Sequence, residues 1–444
     1  MPKTESMTRS ETWNRLSARH LAGGVVSLNR KIDPALVFVR AQGSRIWDAE
    51  GREYLDYHAA FAPHLLGHND PEINAAIARA MNQGWSLMGA GTTPWEAELA
   101  MKLCEAVPTL ERVQLTNTGS EATAHAIRLA RAHTGREDVL LTLGGYNGWH
   151  NEVARTVMPT RAQIGPRVSP GEYPWLPLSA GVPEATQHKL HAVNFNDLES
   201  VEYALRKHPI ACVLTEPVLQ NVGVVLPQAG YLRGLRELCD RYGAVLVFDE
   251  VKTGFRSALG GYQSVCGVTP DLSVFGKAVA NGHPLGVIGG KRELMDLFAS
   301  PDAGKRVLIA GTYNAHPLAC AAALATLDRL AAHGGDVYAR LDALSARLQR
   351  GLEAIFHERG EPATVVRNAS AFCVYFMDHT PRDWHDILEH HDFERDRLLR
   401  LALLERGVFH FPMPCKQGSV SAAHSEAEID RTLDATRDAL KGLA

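Results

Sequence analysis

Lys277 stands in Leu272-Ser-Val-Phe-Gly-Lys-Ala278, directly after an apolar run and a glycine, with an Ala/Gly-rich stretch continuing to Gly290. A lysine in that setting is partly desolvated, which lowers its pKa and frees its amine to attack a carbonyl. The chemistry open to it is Schiff-base formation. Asp249 ends a second apolar run, Ala244-Val-Leu-Val-Phe-Asp-Glu-Val251. A buried sheet tolerates a carboxylate only with a partner, and a pyridinium N–H is one. The carboxylate would keep such a ring protonated, and the ring would then withdraw electrons from a carbanion. Simpler fates exist: most lysines lie at the surface, and an Asp after a strand often caps the next segment.

Two further signals follow apolar runs. Thr116-Asn-Thr-Gly-Ser-Glu121 precedes a helical pattern. Gly119 would let a ligand approach the backbone, and Ser120 occupies the expected N-cap. Free N–H groups at a helix start make a phosphate cradle. Glu216-Pro217 follows Ile210–Leu214 and supplies a second carboxylate, expected to support the site through hydrogen bonds. A Walker A reading around Lys277 fails, because Asp271 replaces the first glycine and Ala278 the Ser or Thr.

These signals need a scaffold that gathers them. Short apolar runs at Val113–Leu115, Val139–Leu143, Ile210–Leu214, Ala244–Phe248 and Leu272–Phe275 read as strands. Helical patterns such as Glu121–His133 and Tyr231–Tyr242 lie between them. That alternation predicts an α/β fold with a mainly parallel central sheet and helices on both faces. Open parallel sheets bind ligands at the C-terminal ends of their strands, where all four signals fall. Arg45–Tyr57 alternates around Glu50-Gly51 and reads as a hairpin. After Thr326 a long helical stretch to Arg359, an apolar run Ala371–Met377, a helix near Phe393–Arg406 and a last helix from Ser425 suggest a smaller α+β domain. The expected division is an N-terminal segment 1–65 joining the small domain, a large domain 66–325 and a C-terminal small domain 326–444.

Composition excludes other classes. The 444 residues carry a net charge of -4, with no basic footprint for nucleic acid. No apolar run reaches the length of a membrane span, and residues 1–19 hold no apolar core of a secretory signal. Seven scattered cysteines show no redox or zinc spacing, so a reduced, cytoplasmic enzyme is expected. Twenty histidines form no recognised metal motif, and no metal site is expected. His390 and His391, in a charged stretch, are expected at the solvated surface.

Several segments together resemble the class III aminotransferases of the fold-type-I pyridoxal-phosphate enzymes over nearly the whole chain. They are NTGSEATAHAIRLARAHTGR, LTEPV, LCDRYGAVLVFDEVKTGFR, VTPDLSVFGKAVANGHPLG, AGTYNAHPLACAAAL and VSAAHSEAEID. Within that family the chain is most similar to glutamate-1-semialdehyde aminomutase and related transaminases. The resemblance implies pyridoxal 5′-phosphate as cofactor, linked to Lys277 as a Schiff base, with Asp249 on its ring nitrogen. It implies Gly119 and Ser120 on the phosphate, Tyr146 stacked on the ring and Val251 on the opposite face. Thr312 would reach the phosphate of a neighbouring subunit, making a homodimer part of the site. Arg30, closing Gly23-Gly-Val-Val-Ser-Leu-Asn-Arg30, would bind a substrate carboxylate through its planar fork.

Three departures bear on the reaction. The aminomutase pattern Tyr-His-Gly-His is here Tyr146-Asn-Gly-Trp149-His150, and Gly-Asn-Pro is here Asn314-Ala315-His316-Pro317. Lys416 stands where the aminomutase carries a glutamate, and suits a second carboxylate better than an ammonium group. The leading expectation is transfer of an amino group from an α- or β-amino acid to an oxo acid. The alternative is a glutamate-1-semialdehyde-type 2,1-aminomutase or an amino acid racemase. Phe61, Trp85 and Met88 are expected to shape the substrate pocket.

Overall fold

The computed structural model describes residues 7–84, 86 and 91–443. Trp85 and Met88 fall outside them. Fourteen strands occur among the described residues. In chain order, β1 (Phe38–Gln42), β2 (Arg45–Asp48) and β3 (Glu53–Asp56) precede β4 (Arg112–Thr116), β5 (Asp138–Thr142), β6 (Leu190–Val193) and β7 (Ile210–Thr215). They are followed by β8 (Val245–Asp249), β9 (Leu272–Phe275), β10 (Gly286–Gly290), β11 (Thr364–Asn368), β12 (Ala371–Tyr375), β13 (Val408–Phe409) and β14 (Gly418–Ser419).

The central sheet has seven strands in the order β4-β10-β9-β8-β7-β5-β6. β6, β5, β7, β8 and β9 run parallel, while β10 is antiparallel to both neighbours. The fully buried runs Ile210–Thr215 and Val245–Asp249 account for this, because helices cover both faces of the sheet. Helix Gly119–Thr134 buries Ala122, Ala126, Ile127, Leu129 and Ala130, and it stops at Gly135 in the left-handed region (φ 68°). Helix Tyr231–Tyr242 buries Leu232, Leu235, Leu238 and Cys239.

Two smaller sheets come from the chain ends. β2 and β3 form the expected antiparallel hairpin, and β13 adds to β3 in parallel. The N-terminal segment is thereby sewn to the C-terminal region. β11, β12 and β14 make the third sheet. The single long helix expected after Thr326 is in fact two, Pro317–Ala331 and Asp336–Arg359. Gly334 and Gly335, both at positive φ, break the chain between them (φ 68° and 85°). Among the described residues no helix is long and apolar enough to cross a membrane.

Candidate active site

The parallel strands bring their C-terminal ends to one edge, and the polar residues singled out in the sequence converge there. Asp249 closes β8 and is 3% exposed. It has the partners that burial demands: Asn147 Nδ2 donates to Oδ2 at 2.8 Å and the Val251 N–H to Oδ1 at 3.0 Å. Burial raises its pKa, while those two donors and nearby Lys277 oppose the rise.

Lys277 follows β9 at φ 48°, a left-handed conformation rare for residues other than glycine. Such strain turns the chain sharply after the strand and is characteristic of functional positions. Lys277 is half-buried. Burial lowers its pKa, and Asp249 and Glu216 counteract part of that.

Glu216 follows β7 and is buried. Its carboxylate accepts from the Tyr146 N–H at 2.9 Å, the Gln220 N–H at 2.9 Å and Asn221 Nδ2 at 2.8 Å. Burial, then the neighbouring charge of Asp249, push its pKa up. These bonds fix the turn after β5 that carries Tyr146 and Asn147. Tyr146 is half-buried, and burial followed by Asp249 raises its pKa.

The helix start after β4 differs in one detail from the expectation. The N-cap is Thr118, not Ser120: Thr118 Oγ1 accepts from the Glu121 N–H at 3.2 Å. Gly119 and Ser120 thus occupy the first turn, where N–H groups precede any helical acceptor and point outward. A Cβ on Gly119 would fall 2.6 Å from Val251 Cγ2, so only glycine lets Val251 lie against the cradle. Gly148, at φ 130°, likewise backs onto Ser120, whose Oγ would be 2.9 Å from an added Cβ. This donor set fits a phosphorylated heterocycle: outward N–H groups and a hydroxyl suit the phosphate, and the buried Asp249 carboxylate suits a ring N–H.

Thr312 is exposed on this chain, in a loop tied back by Asn117 Nδ2 donating to Asn314 Oδ1 at 3.1 Å. Arg30 is exposed and lines a cavity of about 550 Å³ with Phe61, Phe411, His58 and Arg40. Lys416 is half-buried and faces a separate, small cavity with Arg400, Asp396 and His410. Arg30 and Lys416 therefore do not line one chamber. The charge of Lys416 nevertheless reaches His58, whose pKa drops to about 4 through burial first, with Lys252, Lys416 and Arg400 adding to the effect.

Sequence reasoning missed Asn147 and Lys252. Asn147 lies two residues beyond Gly144-Gly145 at a strand end, and that turn signal could have drawn attention to it. Lys252 sits in the Asp249 segment. It is buried, and its Nζ donates to Gln220 O at 2.6 Å and Gln417 Oε1 at 3.2 Å. One expectation outside the site is corrected: His391 is buried, its Nδ1 accepting the Phe376 N–H at 3.0 Å, because it closes a helix against β12.

The class-III aminotransferase family model matches residues 27–412. The chain belongs to this family. It is 40% identical over 404 residues to glutamate-1-semialdehyde 2,1-aminomutase 2 of Brevibacillus brevis, covering 90% of each chain. Its fold superposes on an omega-transaminase from Sphaerobacter thermophilus with a TM-score of 0.90, at 31% identity and 98% coverage of both chains. A glutamate-1-semialdehyde aminomutase from Pseudomonas aeruginosa PAO1 gives a TM-score of 0.85 at 28% identity, over 98% of this chain and 95% of that one. The protein is thus a fold-type-I enzyme of class III, a family that works with pyridoxal 5′-phosphate.

Proposed function

We propose that the protein is an aminotransferase that moves an amino group from an α- or β-amino acid to an oxo acid. Pyridoxal phosphate, when bound, supplies an aldehyde that links to amines and a ring that draws electrons from the substrate carbon. Lys277 is the amine that would carry it and, once released, would move the proton at that carbon; burial lowers its pKa and so favours the neutral amine. Asp249, oriented by Asn147, keeps the ring nitrogen protonated. Gly119 and Ser120 would hold the phosphate, Tyr146 and Val251 would pack against the ring, and Glu216 fixes the turn that carries Tyr146. Thr312, exposed on one chain, completes the phosphate site of a second copy in a cytoplasmic homodimer. Arg30 takes the substrate carboxylate at the mouth of the cavity that Phe61 and Phe411 line.

The observation that carries transfer between molecules is the charge beside that cavity. Arg30 and Arg40 line it together with one carboxylate, Asp56, which is paired with His68 at 2.7 Å, and Lys252 and Lys416 add positive charge at His58. Arginines in excess over carboxylates in that lining suit a substrate with a second carboxylate better than one that keeps an ammonium group throughout an internal transfer. Lys416 contributes through this field. The names of the relatives favour a second reading, a 2,1-aminomutase.

The two readings separate in one experiment. Candidate donors are added to the cofactor-loaded enzyme without an oxo acceptor, and the filtrate is analysed. Stoichiometric free oxo product, with the original absorbance restored by 2-oxoglutarate or pyruvate, is expected. Positional isomerisation of glutamate-1-semialdehyde with nothing released would establish the mutase instead.

A further inference from the structure

Away from the sheet edge, three side chains converge on the segment that follows β12. Asp386 and His390 are four residues apart on helix Trp384–His390 and so share one face. His379 comes from the preceding loop. Its Nε2 lies 3.1 Å from Asp386 Oδ1, and His390 Nδ1 lies 3.5 Å from the same oxygen. One donor atom from each of the three residues falls within 4.8 Å of the others. The two imidazoles meet edge to face, with centroids 4.9 Å apart and an interplanar angle of 81°. One nitrogen of each ring, His379 Nε2 and His390 Nδ1, thus flanks the same Asp386 oxygen.

These spacings match a metal. Zinc bonds of about 2.0–2.2 Å in tetrahedral geometry put ligand atoms about 3.4 Å apart. The surroundings supply the outer contacts such a site needs. His379 Nδ1 faces Asp378 Oδ1 at 2.7 Å, a carboxylate–histidine arrangement that would orient Nε2 toward the ion. Asp386 Oδ2 is taken by the Arg382 N–H at 2.9 Å, which turns Oδ1 toward the histidines. Asp386 is 6% exposed, whereas the side chains of His379 and His390 are 41% and 46% exposed. The site is anchored on its inner side and open to water for a fourth ligand. Two interactions compete: His390 Nδ1 also faces the Asp386 carbonyl at 3.2 Å, and the Arg382 cation lies near Asp386.

We infer that His379, Asp386 and His390 form a surface site for a divalent transition metal of the zinc type, with Asp378 orienting His379. The bound ion would fasten the loop after β12 to a helix that docks on the large domain. Asp383, the N-cap of that helix, accepts from Arg167 Nη2 at 2.5 Å, and Trp384 Nε1 donates to Pro159 O at 2.8 Å.

The test is calorimetric titration of ZnCl₂ into the tag-free, chelator-treated holoenzyme. One ion per chain is expected. His379→Ala and His390→Ala change exposed side chains, and each should weaken binding at least about tenfold, with Asp378→Asn weaker by a smaller factor. Retained cofactor absorbance in these variants shows that they remain folded. Absence of zinc binding by the parent would overturn the proposal. Unchanged binding by the His379→Ala/His390→Ala double variant would also overturn it, by placing the ion at other donors such as Asp138, His191 and His208.

Discussion

Gly119→Ala tests whether the helix start after β4 and Val251 together form the cofactor cradle. The added Cβ would lie 2.6 Å from Val251 Cγ2 and 3.1 Å from Cγ1, whereas ordinary contact begins at 3.4 Å. Val251 would have to retreat by the difference, 3.4 minus 2.6, or 0.8 Å. Its backbone cannot follow freely, because the Val251 N–H is bonded to Asp249. Overpacking of this size costs about 1–3 kcal/mol. Where that cost falls on the loaded state, cofactor affinity drops about 5- to 150-fold. The assay is absorbance titration of the cofactor-free enzyme, with thermal unfolding of the cofactor-free chain as a separate measure of fold. Val251→Ala removes the clashing methyls, so Gly119→Ala should cost much less in that background, with a coupling of about 1 kcal/mol or more. Parent-like affinity in Gly119→Ala, or an equal cost with and without Val251, would refute the reasoning.

Three further outcomes are expected. Asn147→Ala leaves the buried Asp249 Oδ2 without its side-chain donor, an omission worth about 1–3 kcal/mol. Cofactor affinity and turnover should both fall, while Asn147→Asp, which sets a second carboxylate against the first, should be worse than Ala. Lys416→Glu reverses a charge that bears on the substrate cavity. It should lower kcat/KM for dicarboxylic 2-oxoglutarate at least about tenfold relative to pyruvate, a difference of about 1.4 kcal/mol, and equal losses for both acceptors would contradict the assignment. Glu152 has its pKa lowered to about 2, first by its hydrogen bond with His150. A depressed carboxylate stabilises the fold above its unfolded pKa of about 4.3, and the contribution is lost as pH falls toward the folded value. Glu152→Gln should therefore be less stable than the parent at pH 7 in urea unfolding, with the gap narrowing below pH 5. A gap that widens on acidification would reverse the sign.

The elements that position the site were legible because their signals are local. Buried parallel strands read as unbroken apolar runs, so Val245–Asp249 and Leu272–Phe275 announced both themselves and the polar residues at their ends. β10 was not legible: Gly-Val-Ile-Gly-Gly has the composition of a loop, and only its two antiparallel neighbours make it a strand. The partner of Asp249 had to be inferred, since Asn147 comes from a different strand end 102 residues away. The burial of His391 depends on how a short helix packs, and no charge pattern reveals that. The grouping of His379 with Asp386 and His390 likewise exists only after a loop folds back on its helix. Ser120 was misplaced by two residues, because Thr118 and Ser120 are both good caps and only the geometry of the first turn chooses between them.

The central claim is that Lys277, rather than the neighbouring Lys252, carries the cofactor. Lys252 is a real competitor: it is buried in the same cluster, and its pKa is driven well below its ordinary value, chiefly by burial. Reductive trapping of the holoenzyme with borohydride, followed by peptide mass mapping, reads the attachment point directly. The account expects the phosphopyridoxyl mass on the peptide containing Lys277, and no trapping together with lost turnover in Lys277→Ala. Label on Lys252 or Lys416, or full turnover in Lys277→Ala, would contradict it.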